Sequence, residues 1–452
     1  MLATPFVVKV TDRNGRNVAG ASVTFASTGG GAVTPTTAKT DSSGLPSTTI
    51  TLPLSYSTAS YTATVDSLAP VTTQGTSHGA AFGTISAGLG ETCATTVEGY
   101  LYCWGDNAAL ELGLPNHVQM LTPQPMQTPA LFAVVRQGSL SGCGIDKAGH
   151  AWCWGNTQFG LLGDGTGTVG SSPPVRVSGH LTFRDLSVTT GYACGVTTSG
   201  AIYCWGLSAF GEGGPVNGTG NLTPTPISSS ASFLSISAAN THTCAIATDS
   251  TAYCWGSNAD SSLGTTATLS SCDGTLCSSS PVAVAGGLHF QSISAGYTTT
   301  CGLTTGGVGY CWGKNDLGQI GDGTQVDEAL PTQVAAGGQP LQELEMSGNM
   351  ACALTTTQTI LCWGDATYDF LPYNGCPVQG QPGATTACQP TPTAVSTPGF
   401  TFSNIAVGGE GNLCGIPVGS TRLYCWGSNS YGVLGDSTGV NATAPTLVSD
   451  QQ

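Results

Sequence analysis

From Phe82 onward, apolar and polar positions recur in short alternating blocks rather than in a helical rhythm. Residues 290–334 show one unit in full. It reads Phe290-Gln-Ser-Ile-Ser-Ala-Gly296, Thr300-Cys-Gly-Leu-Thr-Thr305, Gly309-Tyr-Cys-Trp-Gly313, then Leu317-Gly-Gln-Ile-Gly-Asp-Gly-Thr324 and Pro331-Thr-Gln-Val334. Alternation over four to six residues marks a half-buried strand, so each unit predicts four short strands, two of them joined by a hairpin around Gly306-Gly307. Residues 1–80 alternate as well, in the runs Phe6–Val10, Ala21–Phe25, Thr48–Leu52 and Tyr61–Val65, punctuated by Asn14-Gly15 and Asp41-Ser-Ser-Gly44. Those are turn signals, and strands at such spacing predict a β-sandwich. No segment sustains a helical period, so the expected class is all-β: a small sandwich over 1–80 followed by a repeat array over 81–452.

The array has a fixed punctuation. Cys-Trp-Gly occurs at Cys103, Cys153, Cys204, Cys254, Cys311, Cys362 and Cys425, at intervals of 50, 51, 50, 57, 51 and 63 residues. A period near fifty repeated seven times is the mark of small sheets arranged in a ring. The blocks of residues 290–334 resemble the regulator-of-chromosome-condensation repeat family, whose members are seven-bladed β-propellers, and the resemblance covers about 370 residues. Separately, Pro5-Phe-Val-Val-Lys-Val-Thr-Asp12, Asn14-Gly15, Val18-Ala-Gly20, Val23-Thr-Phe25 and Thr40-Asp41…Gly44 resemble the Ig-like repeats of bacterial invasin- and intimin-type surface proteins. In that family another strand precedes the position of Leu2-Ala-Thr-Pro5, which implies a domain lacking its first strand.

Each Cys-Trp-Gly has a cysteine ten or eleven residues upstream. With a turn midway, the two face each other across an antiparallel ladder within bonding range. The expected disulfides are Cys93–Cys103, Cys143–Cys153, Cys194–Cys204, Cys244–Cys254, Cys301–Cys311, Cys352–Cys362 and Cys414–Cys425, with two further pairs, Cys272–Cys277 and Cys376–Cys388. Zinc sites favour shorter Cys spacings, and no cysteine is left over for thiol chemistry. Trp104, Trp154, Trp205, Trp255, Trp312, Trp363 and Trp426 follow cysteines and so point to the opposite sheet face, where sevenfold recurrence assigns them to packing blade on blade.

Eighteen cysteines argue for an oxidising compartment. No export signal or apolar run of membrane-spanning length is visible, so secretion or surface display would depend on a segment outside this chain. Net charge is −15, and ten Lys and Arg among 452 residues cannot build a phosphate-tracking patch. Nucleic acid and membrane insertion are therefore excluded as modes of action. The six histidines occupy unrelated places in the repeat, His242 matching a position where the resembled family often has histidine, and no pattern places a metal or a carboxylate pair in a central channel. No catalytic residue is assigned and no cofactor is expected. The loops Leu162-Gly-Asp-Gly-Thr166, Ile320-Gly-Asp-Gly-Thr324 and Leu434-Gly-Asp-Ser-Thr438 read as turns, leaving only weak calcium binding open.

Departures from the repeat carry the functional expectation. From each Trp to the next unit's first cysteine the distances are 39, 40, 39, 46, 40 and 51 residues, and the two long ones hold the extra cysteine pairs. Asp273 lies in the first insertion; Tyr368, Phe370 and Tyr373 replace the Gly-Asp loop beside the second. Disulfide-pinned, aromatic loops lose little entropy on binding. The reading is a secreted or surface-displayed bacterial binding or adhesion module for a protein or glycan, without catalysis. The alternative is a self-assembling structural subunit, binding copies of itself through an open sheet edge. Nucleotide exchange on a small GTPase, as the resembled family's name suggests, fits poorly with the acidity and the cysteines.

Overall fold

The computed structural model describes residues 3–449 except 29–31, 52–56, 67, 78–79, 157, 168–170, 215–216, 368–370, 372–373 and 378–384. The chain divides into two compact units, one formed by its first 81 residues and the other by Phe82–Val448. Among the described residues there is no α-helix.

In the N-terminal unit, Ala3–Val7, Ser47–Thr51 and Ala32–Thr34 form one sheet in that order, and Thr37–Lys39, Ser22–Thr28, Ser57–Thr64 and Val71–Ser77 form another. Val10, Val23, Phe25 and Ala63 make its buried core. The run Phe6–Val10 leaves its sheet after Val7, because Val10 turns into the core and exchanges backbone bonds with Gly44 and Val18 instead. Asp12 Oδ1 accepts the amides of Asn14 and Arg16 and so closes the Asn14-Gly15 turn. Three strands escape the sequence pattern. Ala32–Thr34 and Thr37–Lys39 are only three residues long, and Val71–Ser77 is a polar, threonine-rich run without alternation.

The larger unit consists of seven antiparallel sheets in chain order. The first is built from Phe82–Ala87, Glu91–Thr96, Leu101–Gly105 and Met120–Pro125, and the others repeat it. The fourth and sixth sheets gain a fifth strand, Ser270–Cys272 and Asn374–Pro377, at the two insertions. The last strand, Ala442–Leu447, pairs with Tyr424–Gly427 and completes its own sheet. The first strands of all seven sheets line one central channel, so each sheet is a blade standing radially around it.

What joins the blades is a repeated layer of sulfur and aromatic rings. Cys301 and Cys311 are opposed in register and bonded, with Cα atoms 4.0 Å apart; the other hairpin pairs have the same arrangement at 4.0–4.1 Å. Cys272–Cys277 and Cys376–Cys388 are bonded as well. Six layers place the disulfide of one blade in the same core as the tryptophan of the next. Cys244 and Cys254 lie with Phe290 and Trp312, and Cys301 and Cys311 lie with Leu341 and Trp363. The seven tryptophans of the Cys-Trp-Gly tripeptides are fully buried. Six donate Nε1–H to a loop carbonyl of the preceding blade, as Trp312 does to Ser262 at 2.9 Å and Trp363 to Gln319 at 2.9 Å. Trp104 makes this bond to Val433 of the last blade at 2.7 Å, which closes the ring. The glycine after each tryptophan is obligatory at this crossing. Gly313 has φ +107, and a Cβ there would stand 2.5 Å from the Thr298 carbonyl oxygen.

Because the layer is shared, the tryptophan of one blade couples to its neighbour's disulfide rather than to its own. Trp312→Phe is expected to interact by about 0.5 kcal/mol or more with removal of Cys244–Cys254 in a double-mutant cycle, and to add independently to removal of Cys301–Cys311. Chemical denaturation of the two cycles measures both, and the reverse pattern would refute this packing order. Each disulfide removal alone should cost about 2–3 kcal/mol.

Candidate functional site

The channel encloses a cavity of about 510 Å³. Each blade's first strand pairs on one side with the second strand and leaves its other edge on the channel, with amides that need acceptors. The preceding blade supplies them. Ser86 Oγ accepts the Gln137 amide at 2.9 Å, Ser187 that of Ala238 at 3.0 Å, Ser237 that of Ala295 at 2.9 Å and Ser294 that of Met346 at 2.8 Å. An unmet buried amide would cost about 1–3 kcal/mol at each joint. Three joints depart from serine, and at the one between the seventh and first blades the position is Ala406. Between the second and third blades, Arg136 pairs with Asp185 at 3.2 Å, and the other carboxylate oxygen of Asp185 reaches on to accept the Ile236 amide of the fourth blade. Between the sixth and seventh, Glu343 accepts the Ile405 amide at 3.1 Å and Glu345 that of Val407 at 3.4 Å.

The sequence reading finds no carboxylate pair here, and the structure corrects it: Glu343 and Glu345 stand two residues apart on one strand and both line the channel. The signal is recoverable by laying the first strands over one another, since Ser292 and Ser294 of the fifth blade become Glu343 and Glu345 in the sixth. Their side chains are half-buried and face the channel, with protein around them. Poor solvation raises both carboxyls above the usual range, Glu343 to about 8 with the neighbouring Glu345 charge adding to the effect, and Glu345 to about 7, partly offset by the Arg136 charge. Among the described residues no group of three or more His, Cys, Asp or Glu is placed to hold a metal.

The long loops between third and fourth strands all emerge on one face, beside the turns that follow the first strands. Backbone bonds tie the two sets together, as between Lys314 and Thr298 or Ser257 and Thr241. Asn315 organises its loop. Its Nδ2 donates to Thr324 O at 3.2 Å and Val326 O at 3.0 Å, and its Oδ1 accepts the Ile320 amide. Asp322 is occupied with the amide and hydroxyl of Thr324, and Asp164 and Asp436 serve Thr166 and Thr438 the same way. These carboxylates thus act within their own turns.

Both insertions belong to this loop position, so both rise from this face. In the fourth blade Cys272 pairs with Thr275 across the two-residue turn Asp273-Gly274, both with positive φ, a geometry that closes a tight hairpin. Asp273 is exposed at its tip. In the sixth blade Asn374–Pro377 pairs with the start of Thr385–Ala394. Tyr368, Phe370 and Tyr373 lie outside the described residues, while Leu371 between them is buried in the core between the sixth and seventh blades. Trp426, which would reach back to this altered loop, has no acceptor for Nε1 among the described residues. His242 is fully buried between blades, its Nε2 2.8 Å from Thr300 Oγ1, and burial lowers its pKa to about 4. It serves packing there.

Family models described as the regulator of chromosome condensation (RCC1) repeat match residues 233–261, 290–319 and 307–354. The RCC2 homolog of zebrafish (Danio rerio) is 27% identical over 182 residues, 34% of this chain and 34% of that protein. Human RCC2 is 27% identical over 184 residues, covering 35% of this chain and 33% of its own. The matched region thus spans about a third of these relatives. Among solved structures, human WBSCR16 aligns with a TM-score of 0.66 at 16% identity, over 77% of this chain and 94% of that one. Prp20p of Saccharomyces cerevisiae, described with its binding properties to Gsp1p and histones, aligns with a TM-score of 0.64 at 18% identity, over 78% and 87%. The unit from Phe82 to Val448 is an RCC1-like β-propeller.

The raised carboxyls carry a pH signature. Glu343 and Glu345 ionise less readily folded than unfolded, so the unfolded chain releases more protons between about pH 5 and pH 8, and stability falls as pH rises through that window. The contribution is on the order of 1–2 kcal/mol per group once channel solvent is allowed for. Glu343→Gln with Glu345→Gln keeps the acceptors for Ile405 and Val407 and should flatten the slope of thermal midpoint against pH. An unchanged slope would mean that both carboxyls ionise freely.

Proposed function

We propose that the chain is a non-catalytic extracellular binding module, bacterial in origin, that recognises a protein or glycan through the loop-bearing face of the propeller. The N-terminal unit serves as an Ig-like spacer. One observation carries this reading: the two insertions in an otherwise regular ring occur at the same loop position, emerge on the same face and are each closed by their own disulfide. A pinned loop is ordered before its ligand arrives, and binding therefore costs less entropy. The nine disulfides fit an oxidising compartment. No described helix is long and apolar enough to cross a membrane. That Prp20p, which shares the fold, is described as binding Gsp1p and histones supports protein as the ligand class.

A second reading, self-assembly into a filament or surface layer, is favoured by the edge strands Ala3–Val7 and Val71–Ser77, each paired on one side only among the described residues. Exchange-factor or enzymatic activity has less support, since the channel carboxyls already serve as acceptors between blades.

The sixth-blade insertion is separable from the core if the cut respects Leu371 and the pairing of Asp365 with Cys388. Removing 375–387 with Cys388→Ser is expected to abolish hits from protein and glycan arrays while moving the thermal midpoint by no more than a few degrees. Retained hits would take the sixth-blade insertion out of the binding surface.

A further inference from the structure

The propeller's charges are sorted by face. On the loop-bearing side of the fourth and fifth blades stand Asp260, Asp273, Asp316, Asp322, Asp327 and Glu328, none of them buried. Asp106, Asp164, Asp365, Glu410 and Asp436 continue the same sign around the ring. Among the described residues the one cation on this face is Lys314, already paired with Asp316 at 3.6 Å. The remaining cations lie elsewhere. Arg136 is in the channel with Asp185. Lys147, Arg176, Arg184 and Arg422 sit at the hairpins and strand ends of the opposite face, where Glu98 and Asp249 also stand.

Exposed aliphatic side chains are interleaved with the acidic arc. Leu276 is 56% exposed on the disulfide-pinned hairpin, Val326 62% and Leu330 41% on the fifth blade. The backbone beneath them is held by the Asn315 bonds and by the Asn258 amide donating to the Leu276 carbonyl. A rigid surface that pairs exposed aliphatic groups with carboxylates of one sign matches a protein surface of Lys and Arg, whose methylene stems cover apolar patches while their heads reach carboxylates. Sugar recognition would call for exposed aromatic platforms, and on these two blades the exposed large side chains are aliphatic.

We propose that the acidic arc of the fourth and fifth blades is the docking surface for a basic protein segment, rich in Lys or Arg with aliphatic residues between them. This rests on the reading of the loop-bearing face as the binding face and names the chemistry of its partner. A second copy is a poorer occupant, because its cations, four on the opposite face and Lys9, Arg13, Arg16 and Lys39 in the N-terminal unit, are interspersed with carboxylates such as Glu98, Asp249, Asp12 and Asp41.

The test uses the full oxidised chain and three synthetic fifteen-residue peptides, alternating Lys/Leu, Ser/Leu and Glu/Leu, followed by calorimetry. The arc variant is Asp260→Asn, Asp273→Asn and Glu328→Gln. The control is Glu98→Gln, Asp249→Asn and Val418→Lys, which changes net charge equally on the opposite face of the propeller. The proposal expects the Lys/Leu peptide alone to bind, about tenfold weakening in the arc variant, and less than twofold change in the control. Equal weakening in both variants would reduce the effect to diffuse acidity and overturn the proposal, as would equal binding of the Ser/Leu peptide. Assembly of the chain with itself, lost only in the arc variant, would replace the basic partner by a second copy. If the Lys/Leu peptide fails to bind but array hits vanish on removing 375–387, this inference falls while the binding-face reading stands. Loss of neither would remove both.

Discussion

Each indole of the Cys-Trp-Gly tripeptides belongs to two blades at once. It is covalently part of one sheet; Trp154, Trp205, Trp255, Trp312, Trp363 and Trp426 lie in one core with the disulfide of the sheet before, and six of the seven donate the Nε1 proton into that sheet's loop. A four-stranded sheet of this size cannot bury both faces alone. The shared layer supplies the missing half of each core, and so no blade is complete without its neighbour. Trp104 reaching Val433 carries the same dependence across the chain's two ends of the ring. The hairpin disulfides constrain each pair of central strands, and the serine-to-amide bonds do for the channel edge what the indoles do for the interior.

With stability assigned to residues that repeat, the residues that do not repeat are left for other work. Glu343 and Glu345 replace serines without abandoning the joint, since each still accepts an amide of the seventh blade. Their cost is poor solvation of charge, which makes that joint sensitive to pH. The loop-bearing face varies most, and there the two pinned insertions, the exposed aliphatic groups and the carboxylates coincide. Asn107, Asn315 and Asn429 brace the loops of the first, fifth and seventh blades with hydrogen bonds, so these parts of the face are held in place.

Much of this was legible in the residues themselves. A cysteine opposite a cysteine across a hairpin, and a tryptophan beside it facing away, follow from strand alternation alone. What escaped has physical reasons. The Glu343–Glu345 pair is invisible along one strand, because its meaning lies in alignment with Ser292 and Ser294 a blade away and in the ring that faces them with Arg136. Leu371 reads as part of an aromatic loop and proves to be core, since the seventh blade's layer needs an apolar group there. The strand Val71–Ser77 shows no apolar alternation, and its neighbour Ser57–Thr64 defines it through pairing. Charge sorting by face could not be seen until the strand directions were known.

Hydrogen exchange of the tryptophan indoles tests the shared layer most directly. If each blade's core is completed by its neighbour, the six indoles donating to a preceding blade should exchange together, at one rate set by opening of the whole ring. Trp152, whose Nε1 bonds Asp146 at a half-exposed site in its own hairpin, should exchange faster. Staggered rates, with indoles of single blades opening independently of their neighbours, would contradict the account.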